Sequence, residues 1–145
     1  VAGRAAFQGV PSVEPLVAVA VAAGFYGGWR HGLTAGTTGY VVSNSLVWGG
    51  QGPWTAFQAA GAGIAGLAGA MLGASRNRVA FALALVMGAT GYELVVNLGS
   101  LAFMGFAPAA LLAAVPFAVV HLASTIGFGT VLHGGDTFLA ERYRR

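Results

Sequence analysis

The 145-residue chain has no cysteine and no lysine, and only four acidic residues stand against seven arginines. Without cysteine there is no disulfide framework, no thiolate metal site and no cysteine nucleophile. Charged residues make up 8% of the chain and hydrophobic residues 57%, whereas soluble domains are roughly one quarter charged. Water is therefore not the chain's main solvent. The arginines are scattered rather than clustered, so a pI near 10.0 reflects membrane orientation and not a nucleic-acid-binding patch. The phosphate-binding Gly-x-x-x-x-Gly-Lys and the Gly-x-Ser-x-Gly nucleophile elbow are both missing, and His31, His121 and His133 lack helical metal spacing. The chain is expected to have no catalytic centre, metal site, cofactor or ATPase activity of its own.

What is present in excess is small residues, with 24 glycines and many alanines. In water these weaken helices; in a bilayer they let helix backbones approach closely, so the composition favours a tight transmembrane bundle. A helix needs about 20 mostly apolar residues to cross a roughly 30 Å hydrocarbon core. Five stretches qualify: Val13 to Gly27, Gly32 to Trp48, Thr55 to Gly73, Val79 to Gly105 and Pro108 to His133, the last with a kink expected at Pro116. The second carries Thr34, Thr37, Thr38, Ser43 and Asn44, whose polarity implies burial against other helices. The third repeats Gly61, Ala65, Gly69 and Gly73 on one face, where a neighbouring helix is expected. The chain has no initiator Met, and Val1 to Gln8 reads as the outer end of a truncated first helix. The expected architecture is a single all-α membrane domain: five complete transmembrane helices, the end of a sixth, and a polar tail over 134–145.

Arginine placement orients this bundle, because cytoplasmic loops collect basic residues. Arg30 lies in the first turn between spans, Arg76 and Arg78 in the third, and Arg142, Arg144 and Arg145 in the tail. The alternate connections, Gly49 to Trp54 and Phe106 to Ala107, carry none. The carboxy terminus is thus expected in the cytoplasm and the Gly49 to Trp54 loop outside.

Glu93 lies in the middle of the fourth complete span, where a carboxylate costs several kcal/mol unless paired, protonated or wetted. His121 lies at matching depth in the fifth, so the two are placed to touch, as a polar site or as a structural interhelical hydrogen bond. Asn97 follows Glu93 by four residues and shares its face. Asn44, Gln58 and Asn97 fall in the outer third of their spans, beside the uncharged loop that carries Trp48, Gln51 and Trp54. The tryptophans suit an interfacial belt and Thr55 a helix cap; together the group also suits a lid over a small organic ligand. Arg4 is the one arginine on the outer side, and it either pairs with Glu14 or reaches an anionic or amide group of a ligand.

Arg4, Phe7, Pro11 and Pro15, then Gly50-Gln51-Gly52-Pro53-Trp54-Thr55 followed by Gln58 and a glycine-rich helix, resemble the S component of an energy-coupling factor transporter. The resemblance covers nearly the whole chain. It implies a six-helix protein of the prokaryotic plasma membrane that captures a vitamin-like small molecule from outside. A transmembrane coupling subunit and two ATPase subunits then drive delivery inward. It also implies an outer pocket lined by Asn44, Gln51, Trp54, Gln58, Asn97 and His121. Ala118 and Thr125 depart from the acidic residue and asparagine that relatives carry around the last-helix histidine, which implies a different ligand. Two other classes fit the residues: a proton-coupled secondary carrier using Glu93 and His121, and a structural membrane subunit.

Single cysteines placed in the Gly49 to Trp54 connection and at Ser75 are expected to react with impermeant thiol reagents from opposite sides of the membrane. Labelling of both from one side would overturn the expected topology.

Overall fold

The computed structural model describes residues 1–105 and 108–143. The expected outer connection at Phe106 and Ala107, and the arginines Arg144 and Arg145, lie outside them. The chain forms α1 (Ala2–Phe7), α2 (Leu16–Gly27), α3 (Trp29–Asn44), α4 (Trp54–Leu72), α5 (Arg78–Met104) and α6 (Pro108–Tyr143), with a 3-10 turn at Gly73–Ser75 between α4 and α5. No strand occurs among the described residues.

Local chemistry sets the element ends. A single residue, Gly28, separates α2 from α3, and its φ of 88° is one that side-chain-bearing residues rarely adopt. Pro53 precedes α4, where the N–H it lacks would have had no helical partner. Asn77 caps α5, its Oδ1 accepting from Ala80 N at 2.8 Å.

Among the described residues, three helical stretches are long and apolar enough to cross a membrane: Trp54–Ser75, Arg78–Phe103 and Ala109–Gly135. The two earlier helices are shorter than the sequence suggests. α2 starts at Leu16 and has 12 residues, about 18 Å. α3 covers Trp29–Asn44 rather than Gly32 to Trp48 and has 16 residues, about 24 Å. The polarity of α3 implies burial only in part. Ser43 and Asn44 are buried, but Thr34 and Thr38 are exposed and donate back to their own helix, to Arg30 O at 2.7 Å and Thr34 O at 2.5 Å. A threonine that satisfies its hydroxyl this way needs no neighbouring helix. α6 passes Pro116 and continues to Tyr143, so most of the expected tail at 134–145 is helical.

α4 is the central helix, packed on α2, α3 and α5. The Gly61, Ala65, Gly69 and Gly73 face is covered as expected: Gly61 meets Tyr92 and Ala65 meets Gly88 of α5, while Gly69 and Gly73 meet Val21 and Phe25 of α2. A second face packs on α3 through Ala62, Gly63 and Gly66. Gly66 is the tightest point, because a methyl group there would overlap the backbone of Gly32, and one at Gly24 or Gly32 would overlap Gly66 O. Three helix backbones therefore meet with no side chain between them, which maximises dispersion contact where no aqueous hydrophobic effect operates. Val17, Val21 and Phe25 of α2, and Phe81, Leu85 and Tyr92 of α5, fill the remaining core.

The surface is apolar and part of the interior polar. Met71, Val79, Leu112 and Val131 are largely exposed, whereas Asn44, His121 and Thr125 are buried. This inverts the water-soluble pattern and suits a helix bundle solvated by lipid. α6 leaves most of its apolar surface uncovered. It is tied to the bundle in its second half by Phe7 against Phe128, at 5.4 Å between centroids, and by Tyr26 Oη to His133 Nδ1 at 2.5 Å.

Gly66→Ala is expected to destabilise the bundle by about 1–3 kcal/mol through overpacking, while Gly127→Ala, which meets open space, should be neutral. Thermal unfolding of both variants in one detergent checks this; equal midpoints would contradict the backbone approach.

Candidate functional site

Arg4 on α1 and Glu14, in the segment between α1 and α2, form an ion pair whose side chains are 13% and 14% exposed. The turn leading to Glu14 includes Ser12 at a left-handed φ of 62°. The Arg4 guanidinium lies over the Tyr40 ring, 4.6 Å from its centroid, and Nη1 donates to Ser43 Oγ at 2.7 Å and Asn44 Oδ1 at 2.6 Å. Tyr40 Oη donates to Glu14 Oε1. Glu14 is also held through its backbone, whose N–H donates to Ser124 Oγ of α6 at 3.0 Å. Asn44 passes the network onward, its Nδ2 donating to Thr55 Oγ1 at 2.9 Å and Gln58 Oε1 at 2.8 Å. Thr55 Oγ1 accepts from Gly52 N at 3.2 Å, which fastens the loop before α4 to α3.

A second cluster lies across the bundle. Glu93 of α5 and His121 of α6 meet at 2.6 Å between Oε1 and Nδ1. Asn97 Nδ2 donates to the other carboxylate oxygen at 2.9 Å and to Glu93 O at 2.8 Å. His121 is 4% exposed, and its Nε2 lies 3.7 Å from Glu14 Oε1, too far for a hydrogen bond. That nitrogen is buried and has no hydrogen-bond partner among the described residues. Tyr92 joins the two clusters, stacked on Tyr40 at 5.2 Å and edge-on to His121 at 4.9 Å. Charges in such surroundings persist only when paired and hydrogen-bonded, and the Arg4–Glu14 and Glu93–His121–Asn97 contacts supply that pairing.

Two clefts flank this network. The outer one, about 240 Å³, lies beneath the loop before α4 and is lined by Gln8, Asn44, Trp48, Trp54 and Gln58 among others. The inner one, about 360 Å³, is lined by Tyr92, Glu93, Asn97, Phe117 and His121. Arg4, Ser12, Glu14 and Gln58 line both and so form a shared wall. Clefts of this size, with a few convergent polar groups in apolar surroundings, suit part of a small organic molecule.

The sequence-derived residues divide accordingly. Glu93, Asn97 and His121 come together at one cleft, Asn44, Trp48 and Trp54 at the other, with Arg4 and Gln58 between them. Gln51 departs from its expected role. Its Nε2 donates to Val41 O at 2.6 Å and Ser45 Oγ at 2.8 Å, fastening the loop to the end of α3, and it lines neither of these clefts. Trp54 also serves its own loop, with Nε1 donating to Gly50 O at 3.4 Å. Trp48 is 81% exposed at the rim of the outer cleft. Thr55 is not a helix cap but a side-chain acceptor for Asn44 and Gly52. Tyr40, Tyr92 and Ser124 were not singled out from sequence. For Tyr40 a signal existed, since it precedes Asn44 by four residues and shares its face.

Comparison with known family models, curated proteins and solved structures finds no match to this chain.

Asn44→Ala removes partners from Arg4, Thr55 and Gln58 at once, and is expected to lower stability by about 1–3 kcal/mol. Asn97→Ala cuts only contacts to Glu93, one turn away on the same helix, and should cost less than about 1 kcal/mol. Unfolding midpoints of the two variants test this order; an inverted ranking would place the network's centre elsewhere.

Proposed function

We propose that the chain is a membrane-embedded substrate-capture subunit of the energy-coupling factor S-component kind, which takes a vitamin-like small molecule from the outer side for uptake driven by partner subunits. The observation that carries this reading is the pair of adjoining clefts, built from convergent polar side chains inside an otherwise apolar bundle, with the outer cleft beneath the loop that carries Trp48 and Trp54. A purely structural subunit has no need of such space, and hydrogen bonds alone could have been made without it. On this reading α2 to α6 are five membrane-crossing helices, and the loop before α4 faces outward. Arg30, Arg76, Arg78 and the carboxy terminus then lie in the cytoplasm of a prokaryotic cell, where ATPase subunits act through a transmembrane coupling subunit. Binding needs no catalysis by this chain; its task is to hold the ligand and present it.

The 2.6 Å Glu93–His121 contact favours one other reading, a proton-coupled secondary carrier in which this pair exchanges protons with the substrate path. Reconstitution of the chain alone in liposomes separates the two. A carrier moves substrate down an imposed proton gradient without ATP, whereas a capture subunit binds but does not transport until its partners are added.

Mass spectrometry of the natively purified protein is expected to find a co-purifying small molecule. Trp54→Ala, at the outer cleft, should weaken its binding about ten- to hundredfold, or roughly 1.4–2.8 kcal/mol. Trp29→Ala, at the opposite corner between α2 and α3, should be neutral. Equal losses in a titration of both variants would signal general destabilisation and overturn this placement of the site.

A further inference from the structure

The inner cleft carries an unmet hydrogen bond and a carboxylate whose only neighbouring cation among the described residues is a histidine that must be protonated to balance it. Its charged lining consists of Arg4, Glu14 and Glu93. Arg4 is committed to the protein, with Nε on Glu14 and Nη1 on Ser43 and Asn44. It therefore cancels Glu14 and offers little to an anion, which favours the first of the two roles the sequence allows it, pairing with Glu14. Glu93 has His121 as its ion-pair partner only when the imidazole is protonated, and with a neutral imidazole its charge has no cation beside it among the described residues.

His121 is the second observation, and it is independent of charge. In the tautomer that donates from Nδ1 to the Glu93 carboxylate, Nε2 is a buried acceptor without a donor among the described residues, on a side chain that lines the cleft. Protonating Nε2 does not satisfy it either, because Glu14 Oε1 stands 3.7 Å away. A nitrogen or oxygen placed about 2.8–2.9 Å from both atoms would close that gap by donating one hydrogen to Nε2 and another to Oε1. A group with several hydrogens to donate and a positive charge meets both needs. Tyr92 and Phe117 add aromatic surface to the same lining, which a cation also favours.

We infer that the inner cleft is a site for a protonated amine, held between His121 Nε2 and Glu14 Oε1, with its charge balanced by Glu93. This rests on the capture reading insofar as the amine belongs to the captured molecule. An arylalkylamine or an aminomethyl heteroaromatic is the class that fits: the ammonium enters the inner cleft and the ring lies against Phe117 and Tyr92.

The test uses the purified full chain in detergent and three probes of one shape: benzylammonium, benzyl alcohol and benzoate. Ligand-observed NMR and calorimetry should show benzylammonium binding at least about tenfold more tightly than either other probe. Glu93→Gln, which keeps the side-chain shape and removes the charge, should erase that preference without lowering the unfolding midpoint by more than a few degrees. Equal binding of all three probes would mean that a bridging water, not an amine, completes the site, and would overturn the inference. Tighter binding of benzoate, no binding of benzylammonium at about 10 mM, or unchanged amine binding in Glu93→Gln would overturn it too. If Glu93→Gln does not fold, the three-probe comparison on the unmodified chain decides alone. A co-purified ligand without a basic nitrogen sinks the amine assignment and leaves capture standing. A benzylammonium preference combined with no effect of Trp54→Ala on a co-purified ligand does the reverse.

Discussion

A carboxylate placed among apolar helices must find its compensation locally, and Glu14 is where this chain meets that demand. It lies in the non-helical segment between α1 and α2, yet it binds groups from three other elements: Arg4 of α1, Tyr40 of α3 and Ser124 of α6. Its Oε1 also faces His121. Each partner would be costly to bury alone, and each is affordable because the others are present. The position of α1 against the bundle, the turn at Ser12 and the approach of α6 all follow from satisfying this one side chain. The two clefts are the space left on either side of it.

That arrangement requires a rigid support, and the glycine contacts supply it. Where α2, α3 and α4 meet at Gly24, Gly32 and Gly66, the backbones are too close for any side chain to intervene. Helix positions there are fixed by main-chain contact instead of by deformable side chains. Asn44 and Gln58 sit further along these same helices, so their register is inherited from the glycine contacts. α6 has no comparable small-residue seam. It is held by discrete contacts at His121, Ser124, Phe128 and His133.

The helical class, the boundaries of α4 and α5 within a residue or so, and the pairing of Glu93 with His121 could be read from the sequence, because ionisable residues are rare in apolar segments and each one strongly constrains its surroundings. The Arg4–Glu14 pair was visible for the same reason. Hydroxyls were harder. Thr34 and Ser43 look alike in sequence, yet one returns its hydrogen bond to its own helix and the other receives Arg4; the difference depends on which face is buried, and α3 is too evenly mixed to reveal it. Tyr40 and Tyr92 read as generic aromatic packing until their hydroxyl and ring contacts are seen. Gln51 was misplaced because a loop amide can turn either toward a cleft or toward the end of the preceding helix, and the exposed carbonyl of Val41 was the stronger attractor. The lengths of α2 and α3 were overestimated because glycine and apolar residues flank them without marking where the helix stops.

The continuity of α6 has a mechanical consequence. Its 36 residues extend about 54 Å, well beyond a hydrocarbon layer of roughly 30 Å, and no joint separates His121 from the far end. The helix is in effect a shaft that sets the imidazole about 33 Å from its far end, with Phe128 and His133 as bearings between them. The bond at the other end has little tolerance. A displacement of only about 0.6 Å carries the 2.6 Å His121–Glu93 contact to the upper edge of ordinary hydrogen-bond range.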